Sequence, residues 1–328
     1  MSGGTSNQTR LAVLASLAWL AVLGIGLVLS SAVRSHWWVP VLLSLGAAAL
    51  AAAAPVRAAG ANTIPTKPLP VINDDGPAAA LSVALSVEGI SLPKLGNCDE
   101  ENEDAFAVEV AEGYIAVADG ASSSYRAREW ARLLSSDFVV NRPLRTRGTT
   151  REWLTSVGQR FTPATDQETE YWAQDAAQRG SHASFLGVSV FEHGEGYGVR
   201  AVGVGDSVLV QLRGPADSLT EVFAFPLSRP DEFSATPPLV SSTASAPKIR
   251  FIDTDVMPGD SLLAMTDELA HWALSRSRAG TPIWHLLVAG SRTQVIDAIH
   301  QARKSDEIAN DDMTLVRIAL KTQSGEAA

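Results

Sequence analysis

Acidic residues border several short apolar segments of this sequence, and this repeated arrangement limits the folds open to the chain. Four acidic stretches, residues 102–104, 118–120, 266–268 and 310–312, each lie beside a run with the pattern of a buried strand. A carboxylate at the end of a core strand is costly to remove from water unless a cation pairs with it. Acids that converge from distant parts of a chain suit a divalent metal ion with oxygen ligands. The arrangement therefore predicts a metal site, and a metal-dependent hydrolase is the first hypothesis for the function.

Ten apolar runs predict the strands of a soluble domain over residues 78–322. These runs are residues 80–87, 104–110, 114–118, 183–192, 197–204, 208–213, 221–225, 249–253, 261–265 and 313–320. Several have the alternating or continuous apolar pattern that is typical of β-strands.

Helices are predicted in two groups between these strands. Apolar residues recur at helical spacing in residues 123–140, and a second helical region covers residues 268–304. Two capping-box patterns, Thr149-x-x-Glu152 and Thr165-x-x-Glu168, predict further helix starts after the first of these regions. The order strands, helices, strands, helices, strand indicates an α+β fold in which two antiparallel sheets have helices packed outside them.

The N-terminal part of the sequence has the composition of a membrane segment. After a tail of residues 1–10, residues 11–31 form an uncharged run that is long enough to cross the roughly 30 Å hydrocarbon layer of a bilayer. A second uncharged run, residues 37–54, begins with two tryptophans at an interfacial position. We therefore expect a two-helix transmembrane hairpin over residues 11–54. A cleaved signal peptide is the alternative, favoured by the small residues at 47–54.

Positive charge is distributed unequally around this hairpin. Arg10, Arg57 and Lys67 flank its outer ends, whereas Arg34 lies in the connection between the two runs. The positive-inside rule then places both chain ends in the cytoplasm. The expected location is the inner (plasma) membrane, with two spans and a cytoplasmic soluble domain.

Two further segments flank the soluble domain. Residues 55–77 contain five prolines and predict an extended spacer between the hairpin and the domain. Residues 323–328 form a polar tail.

Overall charge and cysteine content exclude some classes of protein. The formal net charge is -10, with a pI of about 5.1, which argues against a nucleic acid as the partner. Cys98 is the sole cysteine, so an intrachain disulfide is excluded.

Five short motifs occur together in this chain, spread over nearly the whole soluble domain. They are Asn102-Glu103-Asp104, Ala118-Asp119-Gly120, Gly205-Asp206-Ser207, Thr266-Asp267 and Asp311-Asp312-Met313-Thr314. Each motif alone is unspecific, but their order and spacing resemble the metal-dependent type 2C (PPM) Ser/Thr protein phosphatases, in particular the divergent bacterial branch. The resemblance implies a four-layer α-β-β-α sandwich with the metal ions in a cleft at one edge of the two central sheets.

Carried over residue by residue, the resemblance implies a site for two Mn²⁺ or Mg²⁺ ions. The implied ligands are Glu103, Asp104, Asp119, Gly120, Asp267 and Asp311. Asp119 would bridge both ions, and Gly120 would offer its carbonyl to one of them. Asp267 and Asp311 would complete the coordination of the first ion, while the acids of the Asn-Glu-Asp motif would hold the second, largely through waters. The catalytic carboxylates are then those of Asp119, Asp267 and Asp311.

The sequence departs from the family pattern at several positions. Many members have an arginine that grips the phosphate three residues before the Asn-Glu-Asp motif, where this chain has Asp99. Arg126 and Arg128, just after the Ala-Asp-Gly motif, are the candidates for phosphate binding instead. Asp206 resembles a ligand of a third, looser metal ion, but its usual acidic partner is replaced by His271.

Two functions remain open on these residues. The resemblance implies a phosphatase that acts on phosphoserine and phosphothreonine of phosphoproteins and opposes a Ser/Thr kinase. The expected N-terminal hairpin would anchor it in the membrane, with its substrates in the cytoplasm. The alternative is a catalytically silent phosphatase-like domain that binds a partner or senses a ligand. Asp99, and Glu268 in place of the glycine that usually follows Thr-Asp, favour this second reading.

Overall fold

The computed structural model describes residues 84–161, 171–193, 196–243 and 248–321. The predicted tails, hairpin and proline-rich spacer, and the Thr165-x-x-Glu168 capping box, lie outside the described residues. Among the helices that are described, none has the length and apolar character needed to cross a bilayer.

The described chain forms two antiparallel sheets. The first sheet has the spatial order β1 (Ala84–Leu92), β11 (Met313–Lys321), β10 (Ser261–Met265), β6 (Val208–Arg213) and β7 (Thr220–Phe225). The second sheet has the order β2 (Asp104–Glu109), β3 (Tyr114–Gly120), β4 (His182–His193), β5 (Gly196–Val204) and β9 (Arg250–Val256). A two-residue strand, β8 (Val240–Ser241), pairs with β4 at the side of this path.

Six helices are described in the domain, and they fall into two groups along the chain. The group after β3 consists of α1 (Ala127–Asn141), α2 (Arg147–Arg160) and α3 (Tyr171–Arg179). The group before β11 consists of α4 (Asp267–Arg278), α5 (Trp284–Ala289) and α6 (Arg292–Lys304). Side chains of α1 and α2 pack on the second sheet, and side chains of α4 to α6 pack on the first.

The alternation of side chains along β3 explains why its sequence is apolar throughout. Ile115 and Val117 point into the apolar layer between the two sheets, where they join residues of β10 and β11. Ala116 and Ala118 lie on the opposite face, under α1. All four side chains are fully buried, since both faces of the strand are covered. The sandwich therefore has three apolar layers, one between the sheets and one under each group of helices.

The strands and the order of elements predicted from the sequence are confirmed. Each of the ten predicted runs forms a strand; the first is described from residue 84 and continues to residue 92 instead of ending at 87. The short β8 was not predicted, because two residues carry too little pattern. The α+β sandwich with helices outside two antiparallel sheets is therefore correct for the described residues.

One predicted helix start is wrong. The cap of α2 is Thr146, and Thr149 is the third helical residue. Thr149 N donates to the Thr146 hydroxyl over 3.1 Å, and Thr146 N donates to the Thr149 hydroxyl over 3.0 Å. The two threonines thus satisfy each other's backbone N–H groups, with Thr149 in the position that Glu usually takes in a capping box.

Phe138 on α1 lies at the centre of an aromatic cluster and offers a test of the packing beneath the helices. Its side chain is fully buried, and its ring centroid lies 5.4 Å from that of Phe185 and 5.6 Å from that of Trp153. We expect Phe138→Ala to lower the free energy of unfolding by about 3–5 kcal/mol, because it leaves a cavity between α1, α2 and β4. Urea denaturation measures this change. Val140→Ala on the same helix, whose side chain is 72% exposed, should cost less than about 0.5 kcal/mol, and equal losses would contradict the packing.

Candidate metal centre

The acidic motifs come together at one end of the two sheets. In the second sheet, Asp104 at the start of β2 pairs with Asp119 near the end of β3. In the first sheet, Met265 at the end of β10 pairs with Leu315 near the start of β11, so Asp267 and Asp311 follow and precede neighbouring strand ends. Antiparallel pairing places the start of one strand beside the end of the next. Residues far apart in the sequence therefore meet at this edge.

Asp119, Asp206 and Asp267 form what we call the inner acidic cluster. Each offers one carboxylate oxygen, and these three oxygens all lie within 4.8 Å of one another. Asp206 lies in the turn between β5 and β6, where the Ser207 hydroxyl is 2.7 Å from that of Ser184. The sequence makes Asp206 a candidate ligand of a third ion, and its carboxylate lies beside those of Asp119 and Asp267. The binding of a third ion stays a prediction.

Asp104 borders the inner acidic cluster and is buried. The Thr266 hydroxyl donates a hydrogen bond to its Oδ2 over 3.0 Å. Its Oδ1 is buried and has no hydrogen-bond partner in the described part of the chain. An unpaired buried carboxylate oxygen is unfavourable, and a cation with its bound waters would satisfy this atom.

The pKa values of these carboxyl groups are shifted upward. Burial raises the pKa of Asp119 well above its usual range, and the charges of Asp104 and Asp267 raise it further. Burial and the neighbouring Asp206 raise the pKa of Asp267 to about 7, and burial raises that of Asp206 to about 6. A bound cation favours the charged form of such groups and lowers their pKa. Oxygen ligands, crowding and raised pKa together fit hard divalent cations such as Mn²⁺ or Mg²⁺.

Glu103 and Asp311 lie around the ammonium group of Lys94 and are not among the three carboxylates of the inner acidic cluster. Asp311 is close enough to that cluster for its charge to contribute to the raised pKa of Asp119 and Asp267. Lys94 Nζ is 3.4 Å from Glu103 Oε2, 3.2 Å from Asp311 Oδ1 and 3.9 Å from Asp312 Oδ2. It also donates to the Ser122 hydroxyl over 2.8 Å, and that hydroxyl donates to Glu103 Oε2. We call Glu103, Asp311 and Asp312 the outer acidic cluster. No motif in the sequence singles out Lys94.

Asp312 fixes the backbone of this region. Its buried carboxylate accepts hydrogen bonds from Lys94 N over 2.8 Å and from Glu103 N over 2.9 Å. The sequence pointed to Asp311 as the ligand and gave no role to its neighbour. The two adjacent acids of this motif, Asp311 and Asp312, are the sequence signal for such a role. One carboxylate can accept hydrogen bonds from backbone amides while the other faces the site.

Arg303 and Glu268 position the loop that carries Asp311. Arg303 on α6 donates to the Asp311 carbonyl and, over 3.1 Å, to the Pro93 carbonyl. Glu268 Oε1 accepts from Ala309 N over 2.6 Å. Glu268 was noted in the sequence because it replaces a glycine, and its carboxylate holds the backbone two residues before Asp311.

Gly120 is required by the close approach of other backbone. A Cβ at this position would lie 2.8 Å from the Ala127 carbonyl and 2.9 Å from the Glu103 carbonyl. Gly120 N donates to Glu103 O over 3.2 Å. The glycine therefore lets β3 turn beside the Asn-Glu-Asp motif and the start of α1.

The two arginines predicted to bind phosphate lie near the start of α1. Arg126 caps the helix in a left-handed conformation, and its guanidinium lies 5.4 Å from the centroid of the Tyr125 ring. Arg128 donates to the carbonyl of Asp99 over 3.5 Å. Arg128 thus faces the short turn that carries Asp99, and phosphate binding by either arginine stays a prediction.

His271, which replaces the usual acidic partner of Asp206, packs against an aromatic ring. The centroid of its imidazole lies 5.3 Å from that of the Phe233 ring, in an edge-on arrangement.

Comparisons with known proteins bear on the family and the fold. A family model described as protein phosphatase 2C matches residues 97–299. The serine/threonine phosphatase PstP/Ppp of Mycobacterium tuberculosis is similar in structure, with 15% sequence identity, a TM-score of 0.50 and coverage of 73% of this chain and 100% of that one. The serine/threonine phosphatase Stp1 of Staphylococcus aureus matches with 12% identity, a TM-score of 0.53 and coverage of 76% and 100%. At these identities the two structures show a shared fold alone. No curated protein matches the sequence significantly.

The raised pKa values predict how the stability of the metal-free protein depends on pH. Asp206 and Asp267 bind protons more tightly in the folded chain than in the unfolded chain, where their pKa is near 3.8. Their contribution to stability is therefore complete below about pH 4 and is lost as the pH rises towards 7. With EDTA present, we expect Asp267→Asn to reduce this loss by about 1–3 kcal/mol, measured by urea denaturation across the pH range. Asp297→Asn, an exposed acid on α6, is the control. Parallel curves for the parent chain and Asp267→Asn would contradict the crowding of these carboxyl groups.

Proposed function

The chain belongs to the protein phosphatase 2C family of metal-dependent Ser/Thr protein phosphatases, and we propose that it is an active member that hydrolyses phosphoserine and phosphothreonine in proteins. The family uses Mn²⁺ or Mg²⁺. We propose the two-ion arrangement for this chain, with Asp119 as the shared ligand. Asp206 and Asp267 are its partners in the inner acidic cluster.

The inner acidic cluster is the observation that carries this proposal. Three carboxylate oxygens within 4.8 Å of one another, with no ion pair to a basic side chain among the described residues, form a strongly anionic pocket. The buried Asp104 adds an oxygen that has no hydrogen-bond partner. A phosphate dianion cannot approach such a pocket unless cations reverse its charge. The pocket is therefore built to bind cations before it binds phosphate.

Each group of residues has a defined task in the proposed reaction. Metal ions, when bound, supply positive charge for the phosphate and a water of lowered pKa. Asp119 and Asp267 hold the ions and release their protons as the ions bind. Asp104 and Glu103 orient water at the side of the Asn-Glu-Asp motif. The residue after Gly120 is Ala121, which cannot donate a proton, so the departing serine or threonine oxygen would take its proton from solvent or from a water held by the metal ions.

We also propose that residues 11–54 anchor the phosphatase in the inner membrane by two spans, with the catalytic domain in the cytoplasm. The support is the two uncharged runs and the excess of positive charge at their outer ends. Residues 55–77 then form a spacer that holds the domain away from the lipid headgroups. Cytoplasmic phosphoproteins of a Ser/Thr kinase are the proposed substrates.

A silent phosphatase-like domain is the second candidate function. Two observations favour it: Asp99 occupies the position of the arginine that grips the phosphate in many relatives, and Lys94 contacts two of the implied metal ligands. Such a domain binds a partner or senses a ligand without turnover. Metal binding and turnover, measured on the same preparation, separate the two candidates.

Asp119→Asn tests the proposed activity. We expect the purified full-length chain to hydrolyse p-nitrophenyl phosphate and a phosphothreonine peptide with Mn²⁺ and not with EDTA. Asp119→Asn should lower kcat at least about a hundredfold, because it removes charge that both ions share. Asp297→Asn should retain the parent activity. Calorimetric binding of Mn²⁺ without turnover by the parent chain would favour the silent domain over the enzyme.

Removal of residues 1–54 tests the anchor. We expect the full chain to stay in the membrane fraction after an alkaline carbonate wash, because two apolar spans hold it in the bilayer. The shortened chain should be found in the soluble fraction. A reporter that is active only in the cytoplasm, fused after residue 328, should be active. A mature protein whose N-terminus lies near residue 54, found by mass spectrometry, would show a cleaved signal peptide and refute the hairpin.

A further inference from the structure

Lys94 brings a positive charge of the chain itself into the metal centre. Its ammonium group lies between Glu103 and Asp311, at 3.4 and 3.2 Å, and these two acids are the implied ligands of two different ions. The lysine side chain is 23% exposed, and Ser122 accepts a hydrogen bond from it over 2.8 Å. The ammonium group of Lys94 therefore lies among the carboxylates of the outer acidic cluster.

The backbone around Lys94 is fixed by the same loop that carries Asp311. Lys94 N donates to Asp312 Oδ1 over 2.8 Å, and Leu95 N donates to Asn310 Oδ1 over 2.7 Å. Asn310 Nδ2 donates back to the Leu95 carbonyl over 3.2 Å, and Arg303 holds the Pro93 carbonyl. These contacts hold the lysine at a defined place, so its position is part of the fold.

The two acidic clusters differ in how their charge is balanced. The outer acidic cluster has the ammonium group of Lys94 within 3.9 Å of all three of its carboxylates. In the described ranges of the chain, the carboxylates of the inner acidic cluster form no ion pair with a basic side chain. An ion at the inner acidic cluster meets three carboxylates that have no ion-paired basic side chain, whereas an ion that uses Glu103 must first displace or repel the ammonium group of Lys94.

We propose that the ammonium group of Lys94 takes the place of a metal ion at the outer acidic cluster and balances part of its negative charge. One divalent ion then binds tightly at Asp119, Asp206 and Asp267, and a second binds weakly because it competes with the ammonium group of Lys94. This inference rests on the proposed function, since it assigns different affinities to the two ions of the proposed site. It makes the occupancy of the second ion depend on the concentration of free metal.

Titration of the full-length chain with Mn²⁺ tests the proposal by binding, independently of turnover. Calorimetry should resolve one tight ion and one weak ion in the parent chain. In Lys94→Met the second ion should bind at least about tenfold more tightly, because the repelling charge is gone. Electron paramagnetic resonance at two equivalents of Mn²⁺ should then show a spin-coupled pair in the variant and mainly uncoupled ions in the parent chain. Lys304→Met, which removes one exposed charge from the end of α6, should behave like the parent chain.

The outcomes distinguish this inference from the proposed function. Two tight ions in both the parent chain and Lys94→Met would overturn the role of Lys94 and leave the phosphatase proposal standing. Unchanged Mn²⁺ binding with a raised KM in Lys94→Met would also overturn it and would make the lysine a phosphate ligand. No Mn²⁺ binding by any of the three chains would overturn both proposals. Lys94→Gln, compared by circular dichroism, is the second variant if Lys94→Met does not fold.

Discussion

Repulsion among carboxylates at one end of the sandwich is the constraint on which the rest of the centre depends. Asp104, Asp119, Asp206 and Asp267 lie close together and partly or fully out of water, and their pKa values rise as a result. A fold tolerates such a group only when protons or cations balance it. The fold supplies one balancing charge itself, in Lys94, and leaves the inner acidic cluster to metal ions or protons.

The scaffold that holds these acids is made of hydrogen bonds between side chains and backbone groups. Asp312 binds the amides of Lys94 and Glu103, Glu268 binds the amide of Ala309, and Arg303 binds two carbonyls. All of these contacts except the one between Arg303 and the Pro93 carbonyl join the loop before β11 to another part of the chain. Ligands fixed in this way lose little further entropy when an ion binds, which is the usual advantage of a preformed site.

The sequence predicted the strands and the acidic residues at their ends. It did not predict that these residues form two groups, the inner and the outer acidic cluster. Alternation and continuous apolar runs define β3 and β11 without reference to the rest of the chain, and the acids at their ends follow directly. The placement of Asp206 beside Asp119 depends on the turn between β5 and β6, where the chain crosses from one sheet to the other. Lys94 and Arg303 act through contacts across more than two hundred residues of sequence. No local pattern encodes such contacts, because they exist only once both sheets have formed.

The inner acidic cluster takes its members from both sheets: Asp119 ends a strand of the second sheet, Asp267 follows a strand of the first, and Asp206 lies in the crossing between them. An ion held by all three is a crosslink between the two halves of the sandwich. Separation of the sheets would require release of that ion, so the resistance of the domain to degradation would rise with the supply of manganese or magnesium in the cell. The abundance of the protein would then follow the metal status of its host, before any question of catalytic rate arises.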